Sequence, residues 1–204
     1  QQLCLDEQTH QVIPEFCLKY QHGILKDIQL KRSFKVVLDG LNGSAGRCAN
    51  LVLQKMGCAV MALRCDANGH FPDHAPDPSQ DKHLETLRQS IMQQQADLGI
   101  ALDGDGDRVV LIDAQGQIIT ADQLLCLFAE ICLTDSAPRK FVYDVKCSTL
   151  VRDTVQRLGG EPVMIRTGSS FLRTYLAQSQ QQAIFGGEYA GHYVFNDGRG
   201  WGYD

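Results

Sequence analysis

Nowhere in its 204 residues does this chain carry a C-x-x-C pair, an excess of basic charge, or an apolar run near the roughly 18 residues that a membrane helix needs. Each absence removes a class of protein. Without paired spacing, and with Cys48, Cys58, Cys126 and Cys132 in apolar segments, the eight cysteines read as reduced thiols of a cytoplasmic protein. A net charge of −5 leaves no footprint for nucleic acid. No signal peptide is visible, and a first residue of Gln1 rather than Met leads us to expect a processed or excised piece. The glycine-rich turn at 40–46 has neither G-x-G-x-x-G nor G-K-[ST], which argues against a dinucleotide or Walker site. At 44% hydrophobic and 21% charged residues the composition is that of an ordinary globular protein, and the length fits one large or two small domains.

What the chain does have is concentrated in Asp103-Gly104-Asp105-Gly106-Asp107-Arg108. Glycines between the carboxylates let the side chains converge without Cβ crowding. Three carboxylates that close repel one another unless protons or a cation intervene, and all-oxygen donors suit Mg²⁺ or Ca²⁺. An EF-hand does not fit. With Asp103 at position 1, Arg108 stands where that loop needs glycine and Ala114 where it needs glutamate. The flanks, 96–102 and 109–113, read as strands. A strand–loop–strand with three aspartates points to a Mg²⁺ site with room for a phosphate, since a solvated turn needs only one or two Asp or Gly.

Along the chain, apolar periodicity predicts a helix over 15–30, then a strand (35–39), a helix stopping at Gly57 and a strand (58–63), which together form a βαβ unit. The Pro/Gly-rich stretch 67–78 follows. Its His70 and His74, with Cys65, are three unordered donors without a fourth, and read as loop residues rather than zinc ligands. A helix is predicted over 81–95. Past residue 117, Thr120 and Gln123 form a capping box, and strands are predicted at 140–144, 161–166, 183–185 and 193–195. The order β-α-β-α-β-loop-β thus occurs twice, without a close sequence repeat.

With its pieces ordered, the chain resembles the α-D-phosphohexomutase family, and its bacterial phosphomannomutase/phosphoglucomutase branch in particular. The matching stretches are DGLNGSAG, GHFPDHAPDP, DGDGDR, DVKCS, RTGSS and GGEYAGH, in the family's order and at about its spacing. The resemblance implies an α/β fold of two consecutive three-layer α/β/α domains, each with a small mixed four-stranded sheet, corresponding to the second and third of the family's four. It divides the chain into a connecting segment (1–33), a metal-binding domain (34–117) and a truncated sugar-binding domain (118–204). It also implies transfer of phosphate between the C1 and C6 oxygens of a hexose, glucose or mannose, by way of a bisphosphate intermediate and a phosphoserine on the first domain. Mg²⁺ would be held by Asp103, Asp105 and Asp107, with Arg108 beside them for phosphate charge. Glu188 would accept sugar hydroxyls, while Lys146 and His192 would meet phosphate or relay a proton.

Two departures bear on sugar binding. Ala190 stands where the family loop usually has serine, and Ser169 where bacterial relatives often have histidine. Nothing here matches the family's phosphoserine loop or its C-terminal phosphate clamp. The expectation is therefore the central portion of an enzyme, inactive by itself and partnered by family domains 1 and 4. The alternative is a non-catalytic relative that binds Mg²⁺ and a sugar phosphate.

Overall fold

The computed structural model describes residues 13–26, 28–133, 140–178 and 183–196, with side chains from residue 18 onward. The outer parts of the expected terminal segments, 1–12 and 197–204, lie outside the described residues. Helix α1 (Ile13–Leu25) ends before the expected Leu30. Gly23 lies in its last turn, and Ile28 beyond it is exposed, so no burial extends the helix.

The first sheet is built from four short apolar runs, β1 (Lys35–Asp39), β2 (Ala59–Leu63), β3 (Leu98–Leu102) and β4 (Val109–Asp113), plus β5 (Ile118–Ile119). Its order is β2-β1-β3-β4-β5. Helices α2 (Gly46–Lys55) and α3 (Glu85–Gln94) carry the crossovers that let β1 pair in parallel with β2 and β3. The acidic loop instead joins an antiparallel pair, β3 and β4. The sheet has five strands where four were expected, because β5 spans two residues, too few to show a period of two in sequence. The helix expected over 81–95 is a 3-10 turn (Asp81–Leu84) followed by α3, which Gln95 ends in the left-handed region at φ 50°.

The second sheet repeats the plan with β6 (Lys140–Asp144), β7 (Glu161–Ile165), β8 (Ala183–Gly187) and β9 (Tyr193–Phe195), in the order β7-β6-β8-β9. Its helices are α4 (Ala121–Cys132), α5 (Thr149–Arg157) and α6 (Ser169–Gln178). The expected capping box opens α4: the Gln123 N–H donates to Thr120 Oγ1 (3.3 Å) and the Thr120 N–H to Gln123 Oε1 (2.9 Å). The central strands KVVLD and KFVYD share the pattern K-x-V-x-D, and each ends on an aspartate of 0% exposure.

Strand alternation sorts side chains between layers. Val37 faces Leu84, Leu87 and Ile91 in one layer, while Leu38 lines the opposite face with Ala49 and Val52 of α2. In the second domain Phe141 and Tyr143 pack with residues of α4 and α5, and Val142 packs with Leu172 and Leu176 of α6. The same alternation makes β4 and β5 a shared wall. Val110, Ile112 and Ile118 belong to the first core, while Val109, Leu111 and Ile119 pack against the second. Among the described residues no helix is long and apolar enough to cross a membrane.

Candidate functional site

The acidic loop is pinned from inside by its own first residue. The Asp103 side chain is 1% exposed. Its Oδ1 accepts the backbone N–H of Gly106 (3.0 Å) and of Arg108 (3.2 Å), and its Oδ2 takes Nε (2.7 Å) and Nη2 (2.6 Å) of the Arg108 guanidinium. Asp105 and Asp107 are exposed, and one carboxylate oxygen from each of the three lies within 4.8 Å of the others. Among the described residues this is the one cluster of His, Cys, Asp or Glu that meets the geometry of a metal site. The donors are hard oxygens suited to Mg²⁺, so the residues fit the ion.

A second loop supports the first. The Ser44 N–H donates to the Gly104 carbonyl (2.9 Å), and a Cβ on Gly43 would lie 2.6 Å from the Asp103 carbonyl oxygen. Gly106, at φ 81°, faces Ala45, whose Cβ would be 2.3 Å from a Cβ there. The glycine-rich turn thus serves as a backbone cradle for the acidic loop, a role sequence reading missed because the two loops are about sixty residues apart. Asp77, from the Pro-rich connection, approaches Arg108 Nη1 at 3.9 Å. Burial pushes its carboxyl up, but hydrogen bonds from Ser79 and the Arg108 charge outweigh that and hold it below the usual carboxylate range. His74 stacks on His83 with ring centroids 4.0 Å apart, and its Nε2 lies 2.6 Å from Arg64 Nη1.

The second domain meets this site through its loop 186–192. The Val109 N–H donates to the Gly191 carbonyl (3.3 Å), and His192 Nδ1 lies 3.6 Å from Asp107 Oδ2. Buried Asp144 ties three loops together. Its Oδ1 accepts the Tyr189 N–H (3.1 Å) and the Cys147 thiol (3.1 Å), and its Oδ2 accepts the Thr167 hydroxyl (2.7 Å). Glu188 is 2% exposed, and its Oε1 accepts the Gly168 N–H. This tie to the turn before α6 is one that sequence order does not reveal.

The candidate residues fall into three groups. Asp107 and His192 face each other across the domain boundary. Arg108 and Lys146 line one cleft between the domains. Glu188 bonds to the loop that leads into Ser169, and neither Glu188 nor Ser169 lines that cleft.

Comparison with known proteins identifies the two domains. The family description "Phosphoglucomutase/phosphomannomutase, alpha/beta/alpha domain II" matches residues 18–116, and "alpha/beta/alpha domain III" matches residues 120–202. A phosphomannomutase/phosphoglucomutase of Pseudomonas putida is 36% identical over 91% of this chain, and a phosphoglucomutase of Neisseria meningitidis is 35% identical over 98%. The chain covers 40% and 43% of their lengths. A crystal structure of a phosphoglucomutase/phosphomannomutase family protein from Burkholderia thailandensis superimposes with a TM-score of 0.86 at 38% identity, over 92% of this chain and 40% of that one. The two matched domains, the shared three-layer architecture and these relatives establish that the chain belongs to the phosphoglucomutase/phosphomannomutase family.

Proposed function

We propose that the chain is the central portion of a Mg²⁺-dependent phosphohexomutase, which interconverts hexose 1-phosphate and hexose 6-phosphate through a bisphosphate intermediate. The observation that carries this reading is the convergence of three carboxylates within 4.8 Å beside Arg108, with a loop of the second domain docked against them. Asp103, Asp105 and Asp107 hold the Mg²⁺, which when bound supplies neutralising charge at phosphoryl oxygens. Arg108 and Lys146 add fixed positive charge at the same face. His192, whose Nδ1 lies 3.6 Å from Asp107, would take a proton from the sugar hydroxyl that receives the phosphoryl group. Glu188, after β8, and Ser169, the first residue of α6, would meet the sugar. A hydroxyl contact from Glu188 uses its Oε2, because Gly168 occupies Oε1.

Titration of Mn²⁺ or Mg²⁺ into the wild-type chain and an Asp105→Asn variant tests the reading. Saturable binding that weakens at least tenfold in the variant is expected. Equal affinity in the two would overturn it. Joined to the remaining domains of a relative, the chain is expected to restore turnover. Sugar-phosphate binding without turnover in that setting would favour the non-catalytic alternative.

A further inference from the structure

The acidic loop is flanked by two supports that reach it from different parts of the chain. One is the 40–46 turn, whose Ser44 N–H donates to the Gly104 carbonyl (2.9 Å). The other is the Pro-rich connection, where Pro76 Cγ would lie 3.0 Å from a Cβ on Gly104 and Asp77 approaches Arg108. Followed away from the loop, both supports lead to one buried ion pair. Asp39, at the end of β1, is 0% exposed and accepts hydrogen bonds from Nε (3.0 Å) and Nη2 of Arg64, the residue after β2. The pair holds the first support by its backbone. Asp39 Oδ1 also accepts the Leu41 N–H (3.1 Å), and the Arg64 carbonyl accepts the Asn42 N–H (2.8 Å). Leu41, Asn42 and Arg64 all lie in the left-handed region, at φ 46°, 58° and 45°, where a residue with a Cβ stays only if its surroundings hold it.

The second support is held by the guanidinium itself. Arg64 Nη1 lies 2.6 Å from His74 Nε2. A guanidinium only donates, so Nε2 is the acceptor and His74 Nδ1–H donates to the Ala75 carbonyl (2.8 Å). His74 stacks on His83, whose Nδ1–H donates to the Asp77 carbonyl (2.7 Å) and whose own carbonyl accepts Arg64 Nη2 (3.4 Å). All three guanidinium nitrogens are thus engaged. We propose, resting on the Mg²⁺ reading of the acidic loop, that Asp39 and Arg64 are positioning residues for that loop. They set the geometry at which its carboxylates meet a divalent cation, and they do so by fixing both supports rather than by bonding to the loop. A pair that only joined β1 to β2 would leave Nη1 unused. A lysine could neutralise Asp39, but only the planar fork serves Asp39 and His74 at once.

The test titrates the whole 204-residue chain with Mn²⁺ by calorimetry and records its metal-free amide NMR spectrum, for wild type, Arg64→Lys, His74→Phe and His74→Gln. Arg64→Lys keeps a charge for Asp39 but loses the fork. It should weaken Mn²⁺ binding about tenfold and shift the Gly104 and Gly106 amides before any metal is added. His74→Phe keeps a ring against His83 but gives Arg64 no acceptor, and should weaken binding about threefold to tenfold. His74→Gln, whose side-chain oxygen can accept the Arg64 N–H, should recover part of that loss. Far-ultraviolet circular dichroism and thermal unfolding check folding, and the two His74 variants carry the comparison if Arg64→Lys does not fold. A merely structural pair would lower the melting temperature and leave Mn²⁺ affinity unchanged. Wild-type Mn²⁺ affinity in the folded Arg64→Lys and His74→Phe chains would overturn the proposal, and so would unmoved Gly104 and Gly106 amides in both. Absence of Mn²⁺ binding to the wild type would sink the Mg²⁺ reading instead, with the positioning role then decided by the amide shifts alone.

Discussion

Asp103 accepts four N–H contacts, two of them from the Arg108 guanidinium, and a carboxylate offers about four lone-pair positions. A cation bound there must share Asp103 with Arg108 or displace it. Arg108→Met should therefore lower thermal stability in EDTA by about 1–3 kcal/mol, less than for a fully buried pair because Arg108 is 34% exposed. The same variant should gain more from added Mg²⁺ than wild type does, since its buried carboxylate then lacks any other counter-charge. Differential scanning fluorimetry with and without Mg²⁺ measures both, and equal gains would show that Arg108 does not compete. A second residue-scale prediction concerns Cys147. Burial, and then the Asp144 carboxylate that its thiol donates to, push this thiol above its ordinary range. Native Cys147 should resist iodoacetamide at mildly alkaline pH and react once the chain is unfolded in urea, as read by mass spectrometry. The sign for stability follows: the unfolded thiol ionises from about its ordinary value of 9.0, the folded one only higher, so this contribution is complete below that value and is lost as pH rises above it. Stability that falls equally in wild type and Cys147→Ala between neutral pH and pH 10 would contradict this.

Among elements, legibility tracked locality. Five-residue apolar runs flanked by turn residues marked the long strands, and the Thr120–Gln123 spacing marked the start of α4, because both signals lie within one short window. The acidic loop was legible for the same reason, as its donors are adjacent in sequence. What stayed hidden depends on pairs far apart in the chain: β5 as an edge of the first sheet, Glu188 folded against the Gly168 loop, and the docking of the 40–46 turn on Gly104. The turn supplies a prediction at this scale. A methyl on Gly43 would meet the backbone oxygens of Asp103 and Gly104 at 2.6 and 2.7 Å, atoms that cannot swing away as a side-chain tip does. Gly43→Ala should therefore displace the acidic loop and weaken Mn²⁺ binding at least tenfold, while far-ultraviolet circular dichroism stays near wild type. Unaltered Mn²⁺ affinity would mean that the cradle does not set the loop's geometry.

For the whole molecule, the relevant fact is that the chain spans about 40% of the length of the relatives it matches and corresponds to two of the family's domains. Phosphoryl transfer depends on holding donor, acceptor and counter-charges in line. We expect these 204 residues alone to give no glucose 6-phosphate from glucose 1-phosphate in a coupled assay with Mg²⁺ and catalytic bisphosphate. Turnover above background that disappears in Asp105→Asn would show that the two domains suffice. The shared wall of β4 and β5 has a bearing on how such proteins are recombined. Val109, Leu111 and Ile119 lie on strands of the first sheet but pack against the core of the second domain. A chimera that takes its first domain from one relative and its second from another, with the seam placed in the linker, would bring together two halves of one interface that never evolved together. Donors have to be matched at those three side chains, and moving the seam upstream of β4 would detach the acidic loop from one of its two strands.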